Sequence, residues 1–198
     1  MISTFIKFSA LCAVIVLGGC VSTQGLIEDD IYTAKDASFS VTTPFKSDAY
    51  ANRYMEVQEQ YSDRENQVVF TSTAAPMEVY KVFVFKGVET EENLEKIVRD
   101  AYYQQFESFY GTPVEPTSVE SITISGFKTK QLAFKQEIPA TKSVLQDRPE
   151  LTITHLAYYV ESGNSAAYIF VNKPSDGDIF IEGSDSRNRD FVRSFKLN

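Results

Sequence analysis

An α+β domain built on a mostly antiparallel sheet is the fold class this 198-residue sequence predicts. Three observations carry that expectation. Short segments between Phe39 and Val171 alternate apolar and polar residues, the period-two signature of half-buried strands. One segment, residues 90–110, changes to a period of three and four, the signature of an amphipathic helix. The links between late strands are short and carry Ser125-Gly126 and Gly163-Asn164, turn chemistry that lets neighbouring strands pair antiparallel.

The first strand is Ser38-Phe39-Ser40-Val41-Thr42, stopped by Pro44. Residues 54–61 (YMEVQEQY) and 67–73 (QVVFTST) form a hairpin across the polar SDREN, and residues 79–87 (VYKVFVFKG) form a strand closed by Gly87. In the helix, Leu94, Ile97, Val98, Ala101, Tyr102, Phe106 and Phe109 share one face, Thr90 caps the start, and Gly111 with Pro113 ends it. Residues 121–138 and 151–171 each read as two strands, with a two-proline loop at 139–150 between them. Phe191, Val192 and Phe195 fit one face of a short terminal helix over 187–197. The expectation is seven or eight strands, one long amphipathic helix and a short C-terminal helix, in a single domain of residues 37–198. With 15 Phe, 11 Tyr and no Trp, aromatic packing supplies the core, each ring burying roughly 150–250 Å²; an aromatic-lined cleft is the alternative use.

The N-terminus reads differently. Phe8 to Leu17 is an unbroken apolar or small run of ten, half of the roughly 20 residues needed to span a bilayer. With Lys7 before it and small residues after it, this is the layout of a secretory signal peptide. Leu17-Gly18-Gly19-Cys20 resembles the lipobox of bacterial lipoproteins. The resemblance implies cleavage of residues 1–19 between Gly19 and Cys20, a diacylglycerol thioether on Cys20, and acylation (palmitate being the usual chain) of the new amino terminus. Two or more acyl chains give stable anchoring where one does not. By resemblance to the sorting rule of enteric bacteria, Val21 and Ser22 in place of an Asp favour the outer membrane. An ordinary secreted protein with a chance Cys is the alternative. Residues 20–36, with Glu28, Asp29 and Asp30 read as solvated charges, are expected to be the lipidated Cys and a tether.

Loss of Lys7 leaves 18 basic against 27 acidic residues, a balance of about −9. That argues against nucleic acid and against anionic head groups as partners, both of which need clustered Lys and Arg. Cys12 lies in the leader and Cys20 is lipidated, so the domain has no disulfide, thiolate nucleophile or sulfur-ligated metal. The single histidine, His155, lies in the strand LTITHLAYY; it reads as a packed strand residue, and a histidine-dependent hydrolase would have to use it. Ser175-Asp176-Gly177-Asp178 with Glu182 and Asp185 offers oxygen ligands but lacks EF-hand order, so an acidic turn is the plainer reading. No catalytic residue, metal site or cofactor is assigned.

The order of an FSVTTP strand, further strands, one helix, two long hairpins and a closing FVRSFKL segment is similar to the PsbP-like group, named for an extrinsic subunit of photosystem II. The resemblance spans residues 37–197 and implies an antiparallel sheet flanked by helices and an accessory or binding role. Phe45 stands where that group often carries Trp, and no site residues transfer. The expected function is a lipid-anchored cell-envelope protein, periplasmic in orientation, that binds another envelope protein without catalysis. That reading expects an exposed apolar or aromatic patch. A small-ligand or lipid carrier expects a closed aromatic cavity, and a periplasmic hydrolase expects a cleft holding His155 or two close carboxylates.

Overall fold

In a computed structural model, the described residues are 24–45, 55–73, 75, 78–87, 118–124, 126–138, 140, 151–175 and 182–198. The leader, Cys20, the helix expected over 90–110 and nearly all of the loop expected at 139–150 lie outside them. In chain order the elements are β1 (Leu26–Glu28), β2 (Ile31–Thr33), β3 (Phe39–Thr42), β4 (Met55–Tyr61), β5 (Glu65–Ser72), β6 (Val79–Lys86), β7 (Ser118–Ile124), β8 (Phe127–Ile138), β9 (Leu151–Ser162), β10 (Ser165–Pro174), α1 (Ser184–Ser194) and β11 (Lys196–Leu197).

Seven of these strands form one sheet in the order β4-β5-β6-β10-β9-β8-β7, every neighbour antiparallel. The expected hairpins are present, turning at Ser62–Glu65, Gly126 and Gly163. At Gly163 φ is +60°, a left-handed conformation that glycine adopts without a Cβ clash. The central strand β10 is buried without interruption from Ala166 to Val171. That is why its sequence AAYIFV does not alternate: both faces of the sheet are covered there.

On one face Val68, Phe70, Tyr80, Val82, Val84, Ile169 and Val171 pack with Tyr32, Phe39, Val41, Phe191, Val192 and Phe195. On the other, Leu132, Ala157, Tyr159, Ala166, Tyr168 and Phe170 form a second cluster. The cover on the first face is α1 together with a second, four-stranded antiparallel sheet, β1-β2-β3-β11.

Two expectations are corrected here. Residues 24–36, read as part of a tether, are folded: β1 and β2 form a hairpin, and Tyr32 is fully buried in the core. The closing helix starts three residues earlier than expected and ends at Ser194. Phe195 leaves helical geometry with ψ 130°, and β11 then pairs with β3, Lys196 against Ser40 and Leu197 against Phe39. Phe195 still points into the core, stacked on Phe39 at 5.7 Å, so its burial is as expected although its backbone is not.

A buried ion pair attaches α1 to the large sheet. Arg187 donates from Nε to Glu78 Oε2 (2.9 Å) and from Nη2 to Glu78 Oε1 (2.5 Å), and Tyr80 donates to Glu78 Oε2 at 2.9 Å. Glu78 is wholly excluded from solvent, and a buried carboxylate is tolerated only when it is paired and hydrogen-bonded. The ring of Phe45 lies 6.0 Å from the guanidinium carbon and edge-on to Tyr80.

Removing one partner of a buried pair leaves an uncompensated charge and costs roughly 3–5 kcal/mol. Arg187→Ala is therefore expected to lower the unfolding free energy by about that amount. Adding Glu78→Gln to it should restore part of the loss, because a neutral amide still accepts from Tyr80. Urea titrations of the two variants check this, and a loss below about 1 kcal/mol for Arg187→Ala overturns the assignment.

Candidate functional site

The first described residues are held by a polar clasp on the edge strand β4. Glu59 Oε1 accepts from Gly25 N (2.7 Å), from the Tyr32 hydroxyl (2.5 Å) and from the Tyr61 hydroxyl (3.3 Å), while Oε2 accepts from Gln24 N. The Tyr61 oxygen in turn accepts from Lys35 N at 3.0 Å. Burial first, and then the bonds to Glu59 and Tyr61, push the Tyr32 phenol far above its ordinary pKa of 10. Tyr32 therefore remains a donor at every physiological pH.

Gly25 fits because it has no side chain: a Cβ there would lie 2.6 Å from the Tyr32 ring. Beyond the clasp, Asp29 and Asp30 turn the β1–β2 hairpin with φ of 49° and 63°, a region Asp enters more readily than most residues. A second fastening joins the far end of this sheet to the large one. Asp36 Oδ2 accepts from Lys86 Nζ (2.8 Å) and from Asn66 Nδ2 (2.7 Å).

His155 is in β9, as expected, and only 1% exposed. Its Nδ1 lies 3.0 Å from Asn172 Oδ1, directly across the pair with β10. Burial, opposed by that hydrogen bond and reinforced by the Lys81 charge, lowers its pKa to about 4. A general base must be within hydrogen-bond reach of substrate, and this ring is enclosed.

Of the acidic turn, Asp176 to Asp178 lie outside the described residues. Asp185 is taken up by a close ion pair with Lys173, and among the described residues no three His, Cys, Asp or Glu side chains cluster as metal ligands. Gly19 and Cys20 also lie outside the described residues.

One groove combines basic, amide and apolar side chains. It encloses about 320 Å³ between α1 and β7–β9, lined by Ile122, Thr123, Gln131, Tyr158, Asn188, Arg189, Val192 and Arg193. Asn188 is 9% exposed, and its Oδ1 has no partner among the described residues. A broader, polar depression of about 520 Å³ lies on the opposite face between Lys128, Lys130, Tyr159 and Glu161. Both are open, unlike the closed aromatic cavity that the carrier reading expects. The exposed large apolar side chains among the described residues are Leu26 and Ile31, both on the β1–β2 hairpin; the long helix beside which an apolar patch is expected lies outside the described residues.

Two expectations follow. Glu59→Ala leaves several donors without their acceptor, at about 1–3 kcal/mol for each that stays buried. It should speed amide exchange at Gln24 and Gly25 by tenfold or more, and Gly25→Ala should do the same through its clash with Tyr32; exchange measured by NMR checks both, and unchanged protection refutes the clasp. For His155 the unfolded pKa is near 6.5 and the folded value is about 4, so the unfolded chain takes up the proton first. Its contribution to stability is complete above pH 6.5 and is lost as the pH falls toward 4, by at most about 3 kcal/mol. Urea midpoints near pH 7 and about pH 4.5 should therefore fall further apart in the native protein than in His155→Gln.

No protein-family model matches this chain, and no curated protein sequence matches it. Likeness is found among solved structures. The crystal structure of a protein from Bacteroides thetaiotaomicron VPI-5482 aligns at TM-score 0.46 and 11% identity over 85% of this chain and 48% of that one, so the chain spans about half its length. The Ran-binding protein Mog1p of Saccharomyces cerevisiae aligns at TM-score 0.47 and 12% identity, over 87% of this chain and 96% of its own. Cyanobacterial PsbP (CyanoP) from Synechocystis sp. PCC 6803 aligns at TM-score 0.53 and 13% identity, over 92% of this chain and 99% of its own. At that identity the likeness concerns architecture alone: the chain is a sheet-rich α+β protein whose fold resembles that of PsbP.

Proposed function

We propose that this protein is a lipid-anchored component of a bacterial cell envelope, held through acyl chains on Cys20, with a non-catalytic binding role toward another envelope protein. The observation that carries the reading is the short distance in sequence between lipobox and fold. Cys20 follows Leu17-Gly18-Gly19 directly, and the first clasped residue is Gln24. A fold secured that close to a lipidated amino terminus works at the membrane surface.

The fold resemblance to PsbP supports an accessory role, and the enclosed His155 removes the support a histidine-dependent hydrolase requires. Among the described residues no helix is long and apolar enough to cross a membrane. Val21 and Ser22 after the lipidated residue favour the outer membrane by resemblance to the enteric sorting pattern, and in this reading the domain faces the periplasm. The groove with Arg189, Arg193 and Asn188 is where an acidic segment of the partner fits best, since guanidinium groups pair with carboxylates in two-pronged geometry. A small anionic ligand in the same groove is the carrier alternative.

Cys20→Ser is the direct test. In native cells the protein is expected in the membrane pellet, at a mass raised by the lipid. The variant with its leader removed is expected in the soluble fraction without the added lipid mass. Firm membrane attachment of the leaderless Cys20→Ser protein overturns the anchor.

A further inference from the structure

The outer face of the N-terminal hairpin has no covering element among the described residues. The β1–β2 register pairs Leu26 with Thr33 and Glu28 with Ile31, and strand side chains alternate. These four therefore share one face while Ile27 and Tyr32 point to the core. Leu26 is 58% exposed and Ile31 47%. They are diagonal neighbours on one face of the hairpin rather than scattered.

Their position relative to Cys20 matters. From Cys20 to Gln24 the chain reaches at most about 14 Å fully extended, and the head-group layer on each side of a bilayer takes up roughly 5–8 Å of that. Gln24 is itself fixed to β4, and Leu26 is two residues further on. A chain so short gives the hairpin little room to leave the surface. Contacts too weak to hold a free protein become populated when an anchor supplies a high effective concentration.

We propose that this face, through Leu26 and Ile31, rests in the head-group region of a zwitterionic membrane and sets the orientation of the anchored domain. The inference rests on the lipid-anchor reading. Charge selects the lipid: Glu28, Asp29 and Asp30 at the hairpin and a net charge of about −9 over residues 20–198, without Lys7, oppose an anionic surface at low salt. Area argues against a second copy, because two side chains fall far short of the roughly 800 Å² per partner that a stable dimer buries.

The chain has no Trp, so Leu26→Trp, or Ile31→Trp as an independent variant, places a single reporter on an exposed position. The lipidated full-length protein is reconstituted into phosphatidylcholine vesicles carrying brominated acyl chains and recovered by flotation. The expected result is a blue-shifted emission, quenched several-fold more than in the same variant carrying Cys20→Ser. Adding phosphatidylglycerol at low salt should reduce the quenching. Protein that floats but is unquenched overturns the docking and leaves the anchor standing. Emission that is blue-shifted yet insensitive to bromine overturns it in favour of a protein cover, and protein that fails to float removes both readings.

Discussion

Covering both faces of one seven-stranded sheet is the constraint on which the rest of the molecule depends. The middle strand β10 is apolar on each side, with Ala167, Ile169 and Val171 in one cluster and Ala166, Tyr168 and Phe170 in the other. A sheet of that kind is stable only between two layers. On the first face the layer comes from both ends of the described chain. Tyr32 and Phe39 from the start and Phe191 and Phe195 from the end meet over Phe70 and Tyr80, with ring centroids 5.0–5.7 Å apart. β11 then pairs with β3, and Asn198 N donates to Ser38 O. Docking of one end completes the surface on which the other packs.

Aromatic contact alone leaves such a layer free to slide, and two carboxylates at the sheet define its position. Glu59 gathers donors from the N-terminal segment, and Glu78 gathers them from α1 and Tyr80. Each has specific directional demands, and a displaced layer would leave buried donors and charges unmatched. The same logic explains why Gly25 and Phe45 fit where they do. Gly25 allows the backbone to lie against Tyr32, and Phe45 closes over the Arg187 guanidinium.

Much of this was legible in the sequence because period-two alternation reports burial directly. Residues 65–72 and 79–86 alternate in burial, with Val68, Phe70, Tyr80, Val82 and Val84 turned to the core, and Gly163-Asn164 marked its hairpin. The hairpin at 26–33 was not legible. Its strands are three residues long, too short for a period to register, and its turn is Asp-Asp, weaker than the Asn-Gly or Asp-Gly signals of tight hairpins. What folds it is Glu59, more than thirty residues away from Gln24 and Gly25, and no local pattern encodes that contact. Phe195 misled differently: its spacing from Phe191 suits a helix and also suits a residue just past one, provided both end in the same core. Glu78 carried no signal, since a lone acid before a strand reads as solvated until Arg187 is brought to it. The groove at Asn188 was equally hidden, being assembled from α1 and three strands distant in sequence.

A fold of this type constrains function weakly, and the chain's own features must carry it. They concentrate at one end. The clasp that seats Tyr32 in the core also ties down Gln24, so the backbone leaving the domain toward Cys20 departs from a fixed point rather than from a long flexible tether. In a lipidated protein the same bonds that complete the hydrophobic layer therefore transmit the position of the membrane to the sheet. The stability of the core and the placement of the domain become one property: a change that loosens Glu59 from Gly25 lengthens the tether as it weakens the layer. On the lipid-anchor reading that coupling is available because residues from Gln24 onward are part of the fold, and a linker of the length first expected would have separated the two.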